Sequence, residues 1–152
     1  MNIASQKYWH DYLVEHPEAK TTSVTAWQFG ADPDELAQLV IAGYKTATCS
    51  GYVFYELESE PLPATGEYSI ILNSEDLPVA IIKTIQVEIL PMNEVSEEFA
   101  IAEGEGDRTY RYWREVHERF FKQELKEIGM EFSENMLLVC ERFELVDINE
   151  KY

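Results

Sequence analysis

The run from Gly43 to Ser50, GYKTATCS, sets Lys45 three residues ahead of Thr48. A threonine hydroxyl is a poor nucleophile until a base takes its proton, and a lysine with a depressed pKa is one such base. For that role lysine must fall from about 10.4 toward roughly 7–8, which takes burial or a second cation. The same pair also has a purely structural use, because lysine near a helix C-terminus complements the macrodipole and threonine is an ordinary strand residue. A second candidate lies in EGEGD, Glu103 to Asp107. There Gly104 and Gly106 let the backbone approach a ligand, and Glu103 or Glu105 can carry a proton. The alternative is an acidic surface loop in a chain with 29 Asp and Glu, with Asp107 capping the next helix. His117, four residues after Trp113, either lines a pocket or is a satisfied core histidine. His10 and His16 are too isolated to complete a metal site.

The elements that must position these groups follow from periodicity and caps. Tyr8, Trp9, Tyr12 and Leu13 share one side of a helix over Ser5–His16, ahead of Pro17. A second helix is signalled by Asp32 as cap, Pro33 at the first helical position, Glu35 reaching back in a capping box, and Gly43 as terminator. Thr46–Cys49 reads as a strand, and GYVFYELE as a short helix. Tyr68–Leu72 and Val79–Ile89 read as adjacent antiparallel strands around a turn at Asn73–Pro78. Ser96 caps a short helix over Glu97–Ala102 that stops at the two glycines. The longest helix carries Tyr110, Trp113, Val116, His117, Phe120, Phe121, Leu125 and Ile128 on one face. Met136–Val146 reads as a final strand.

A chain of 152 residues, 45% hydrophobic, can bury one core, and no linker or repeat divides it. No apolar run nears the ~18 residues of a membrane span, and the N-terminus shows no secretory pattern, so a soluble cytoplasmic protein is expected. Cys49 and Cys140 lack a CxxC partner, which argues against a zinc cluster or disulfide framework. A net charge of −17 argues against strong nonspecific nucleic-acid binding. Six of the 12 Lys and Arg nevertheless fall together, at Arg108, Arg111, Arg114, Arg119, Lys122 and Lys126. Interleaved with Glu115, Glu118 and Glu124, they read as a solvated face of i,i+4 pairs.

Taken together, WQFG (Trp27–Gly30), LVIAGYKTATCS, PLPATGEYSIIL, EEFAIAEGEGDRTYRYWREVH and LLVCERFELV resemble the ASCH-domain family over nearly the whole chain. The resemblance implies an α+β, PUA-like fold: a small mixed or antiparallel β-barrel with packed helices and a cleft beside G-x-K-T-x-T. It implies one domain over 1–152 with an N-terminal helical extension at about 1–20. Family members are linked to RNA, and some compact ones are amidohydrolases that deacetylate N4-acetylcytidine with a lysine, a threonine and a glutamate. Those roles carry over to Lys45, Thr48 and Glu103, with Glu105 as the neighbour able to replace the last. Substrate contacts are expected from Trp27, Tyr44, Thr46, Glu105, Arg108, Trp113 and His117, with neither metal nor cofactor. Two assignments stay open. Either Lys45 deprotonates Thr48 and Glu103 protonates the departing amine, or Lys45 stays cationic while Glu103 activates water or Thr48. The expected partner is a small nucleoside. The alternatives are a noncatalytic RNA-binding module using Lys45 and the Arg108–Lys126 face, with Trp27 or Tyr44 stacking on bases of a short RNA, and a metal-independent ribonuclease.

Overall fold

The computed structural model describes all of residues 1–152. Asn2 caps the first helix by accepting the Ser5 N–H at 2.8 Å, and α1 runs Ile3–Glu15. A short 3-10 turn, Pro17–Thr21, leads into strand β1, Val24–Trp27. Helix α2, Pro33–Ile41, starts as its Asp-Pro pair dictates, with the Asp32 carboxylate accepting the Glu35 N–H at 3.2 Å. The expected return bond of a capping box is absent, because the Asp32 N–H donates to the Gly30 carbonyl instead. Gly43, at φ +86°, turns the chain out of this helix. There follow β2 (Ala47–Gly51), α3 (Tyr52–Glu58), β3 (Tyr68–Leu72), β4 (Pro78–Pro91), α4 (Glu97–Glu103), α5 (Tyr110–Glu127) and β5 (Leu137–Ile148). Asp107 does not cap α5: Thr109 does, accepting the Tyr112 N–H, while Asp107 holds the Thr109 amide and hydroxyl.

The five strands form one sheet in the order β1-β3-β4-β5-β2, with β1 parallel to β3 and every other pair antiparallel. This corrects the expected barrel. β1 and β2, only four and five residues long, do not bond to each other, so the sheet stays open. The long β4–β5 ladder shifts register twice, between Ile81 and Ile82 and between Thr84 and Gln86, and such bulges bend a strand and sharpen its twist.

Three apolar clusters fasten the helices to this sheet. Tyr12 of α1, with Tyr8, Trp9 and Leu13, packs on Tyr68, Ile70 and Ile81. Ala37 and Val40 of α2 pack with Phe29 on Ile71, Ala80, Ile82 and Phe143. Phe99 and Ala100 of α4 and Trp113 and Phe121 of α5 cover Ala47, Leu138 and Cys140. Each full burial of a large apolar side chain is worth about 1.5–3 kcal/mol, so these contacts rather than helix propensity hold the layers. No helix is long and apolar enough to cross a membrane.

Candidate functional site

Lys45 stands two residues before β2, and Glu103 is the last residue of α4. What joins them is a close backbone approach. The Thr46 N–H donates to the Ala102 carbonyl at 2.7 Å, and Gly104 adopts φ +72° directly against the Tyr44 carbonyl, where any Cβ would collide. The Lys45 ammonium then lies 3.3 Å from Glu103 Oε1 and 3.0 Å from Glu105 Oε2. It also donates to the Ala47 carbonyl at 2.9 Å and sits 5.3 Å from the Phe29 ring centre. The far oxygen of Glu103 accepts the Trp113 indole N–H at 2.5 Å and lies 3.5 Å from His117 Nε2. His117 Nδ1 is 2.8 Å from the Trp113 carbonyl, which only accepts, so this nitrogen carries the hydrogen.

The Lys45 and Glu103 side chains are each about 1% exposed, so their charges are set by one another. Burial alone pulls lysine down, but Glu103 and Glu105 outweigh it and hold Lys45 above its ordinary range. Burial likewise pushes Glu103 up, and Lys45 and His117 outweigh that, leaving its carboxyl well below the carboxylate range. His117 is raised, because the Glu103 charge overcomes the effect of burial. The Cys49 thiol is pushed far up by burial and then by Glu103, which keeps it a thiol. Cys49, Glu103 and His117 each offer a ligand atom within 4.8 Å of the others, a sulfur, oxygen and nitrogen set of zinc-like type. The ammonium already seated on the same carboxylate opposes a second cation there.

Beside this cluster opens a cavity of about 880 Å³, lined by residues of both edge strands, among them Thr25 and Trp27 of β1 and Thr48 and Ser50 of β2. Lys45, Thr48, Glu103, Glu105, Trp27 and His117 all border it. Four of the expected contact residues do not. Tyr44 is half exposed and stacks under Arg108, whose guanidinium lies 4.4 Å from its ring. Thr46 is exposed and donates to Ala102, and Trp113 is buried behind Glu103, where it orients the carboxylate. The six clustered basic residues are also absent from the lining: Arg111 pairs with Glu115, and Arg114 and Lys122 pair with Glu118.

Sequence reasoning missed the rest of the polar lining, formed by Tyr55, Glu67, Ser69, Thr84 and Glu141. The available signal was Glu141 itself, an acid interrupting the apolar run LLVCERFELV. Burial and then the charge of Glu67 push its carboxyl up to about 7, against a lowering contribution from the Thr84 hydroxyl.

The open five-stranded sheet with helices packed on it is similar to the fold of ASCH domain structures. The ASCH domain family model matches residues 25–147, and the chain belongs to that family. It is 44% identical to protein EF3133 from Enterococcus faecalis V583, with a TM-score of 0.87 over 99% of this chain and 93% of that one. The ASCH domain from Lactobacillus crispatus JV V101 is 37% identical, with a TM-score of 0.90 over 95% of each chain. No curated protein matches.

Proposed function

We propose that the protein hydrolyses the acyl amide of a small, uncharged nucleoside of the N4-acetylcytidine type, with Thr48 as nucleophile. The observation that carries this proposal is the charge of the cavity. Six glutamates, Glu60, Glu67, Glu103, Glu105, Glu124 and Glu141, line it against one lysine, which two of those glutamates already neutralise. Such a wall repels phosphate and accepts hydroxyl and amino donors, which disfavours an RNA strand or a nucleotide. Its volume suits a nucleoside-sized ligand.

Lys45 keeps its proton and acts as a fixed positive charge toward the oxyanion that forms when Thr48 attacks the carbonyl. Glu105, at 17% side-chain exposure, is the partner able to yield its place to that oxygen, whereas Glu103 is held from both ends. Glu103 and Trp113 therefore position Lys45 rather than move protons.

The test is incubation of purified protein with N4-acetylcytidine, following cytidine by liquid chromatography. Thr48→Ala should cut its release by at least about 10²-fold. No cytidine from the wild type, or undiminished release by the variant, sinks the proposal.

A further inference from the structure

Thr48 needs a proton acceptor, and in the Lys45 cluster on the same cavity each group already has a partner, Glu105 holding the ammonium through Oε2 at 3.0 Å. Lys45 is a donor with its N–H groups committed to Ala47, Glu103 and Glu105. Glu103 is occupied by Lys45 and Trp113, and His117 is tied at Nδ1 to Trp113 with Nε2 facing Glu103. The neighbouring strand supplies what is missing. Thr48 and Glu141 are direct partners in the β2–β5 register, and side chains so paired stand on one face with Cβ atoms roughly 4.5–5.5 Å apart. Both border the cavity.

We propose that Glu141 is the general base for Thr48, a role that rests on the deacylase proposal above. Glu141 takes the Oγ1 proton as Oγ1 bonds to the acyl carbon. The C–N bond breaks, its electron pair leaves with nitrogen, and nitrogen receives that proton from Glu141. Water then attacks the Thr48 ester, giving its proton through Glu141 to Oγ1 as the ester C–O bond breaks. The sum is amide plus water to carboxylic acid plus amine. A base poised near neutrality suits this exchange. The groups that face Glu141 are Glu67 ahead of β3, Thr84 on β4 and Tyr55 on α3, with Cys140 preceding it on β5 and Glu124 of α5 on the same cavity.

The experiment is the pH profile of kcat/KM on N4-acetylcytidine for wild type, Glu141→Gln, Glu141→Asp and Glu67→Gln. It is paired with mass spectrometry of Thr48 acetylation by p-nitrophenyl acetate. Wild-type activity should fall as pH drops through about 7, the value to which Glu141 is raised. Glu141→Gln should lose about 10²–10⁴-fold together with that limb and should slow Thr48 acetylation, while Glu141→Asp keeps the limb at a lower rate. Glu67→Gln should move the limb to lower pH, and that shift decides the matter even if Glu141→Gln does not fold. Retention of the limb and of rapid Thr48 acetylation in Glu141→Gln, or an unmoved limb in Glu67→Gln, overturns the role of Glu141 alone. A wild type that releases no cytidine overturns the deacylase and its base together.

Discussion

Replacing Lys45 by methionine removes the ammonium from a carboxylate whose side chain is about 1% exposed and leaves it only His117 Nε2, at 3.5 Å, as a cationic partner. Breaking a buried ion pair from one side costs about 3–5 kcal/mol, because the remaining charge stays desolvated and unpaired. Against a typical total of about 5–15 kcal/mol this is a large share, and with a urea slope of about 2 kcal/mol/M it moves the midpoint down by roughly 2 M. The pH dependence has a definite sign. In the wild type the depressed Glu103 contributes stability above the ordinary carboxylate pKa, lost only as pH falls through its lowered value. The raised Lys45 contributes below the ordinary lysine pKa, lost as pH rises past it. At neutral pH both contributions are in force. In Lys45→Met burial is left to push Glu103 up, so the variant's deficit should shrink as the pH is lowered from about 8 to about 5. Lys45→Met with Glu103→Gln should recover more than half of the loss. Urea unfolding followed by tryptophan fluorescence measures all three. A single-variant loss under about 1 kcal/mol, a pH-independent deficit, or a double variant equal to the sum of the singles would refute the coupling.

Gly104→Ala should lose at least about 2 kcal/mol, from the left-handed backbone and the collision with the Tyr44 carbonyl, whereas Gly43→Ala, with open space around it, should lose only about 1 kcal/mol. Melting temperatures of the two compare them directly, and equal values would contradict the close approach. Glu141→Gln should leave stability unchanged near pH 4 and raise it near pH 8. A carboxyl lifted from 4.5 to about 7 contributes fully below the lower value and loses that contribution through the upper one, by at most about 3 kcal/mol. Denaturant midpoints at the two pH values check it. Tyr8→Phe removes a 2.6 Å hydrogen bond to Asp147 and should cost about 1–2 kcal/mol, read as faster amide exchange in α1.

Where local rules set the structure, the sequence was readable. Asp32-Pro33 starts α2, Ser96 starts α4, and the turn after Leu72 pairs β3 with β4, because each depends on residues within a few positions. β1 was not read as a strand: its four residues become one by pairing in parallel with β3, more than forty positions away. Asp107 and Thr109 both offer capping oxygens, and only the conformation after Arg108, at φ +62°, decides for Thr109. Lys45 and Glu103 lie 58 residues apart, so only family resemblance brought them to one cleft, and nothing in the pattern revealed that the lysine would be saturated by carboxylates. Trp113 belongs to an amphipathic helix face that periodicity identifies, but whether it meets substrate or holds Glu103 from behind depends on how α5 rotates onto α4.

The missing β1–β2 ladder has a mechanical consequence. The rims of the cavity belong to strands with no mutual hydrogen bonds while residues of all five strands line it, so its width follows the bend of one sheet and no ladder closes its mouth. The clamp is Phe120 of α5 against Gly30 beyond β1, where an added methyl would come within 3.1 Å of the ring. Enlarging that one contact would push on the β1 rim without touching a ladder bond. A barrel zipped shut along the same seam would have neither the freedom nor the room.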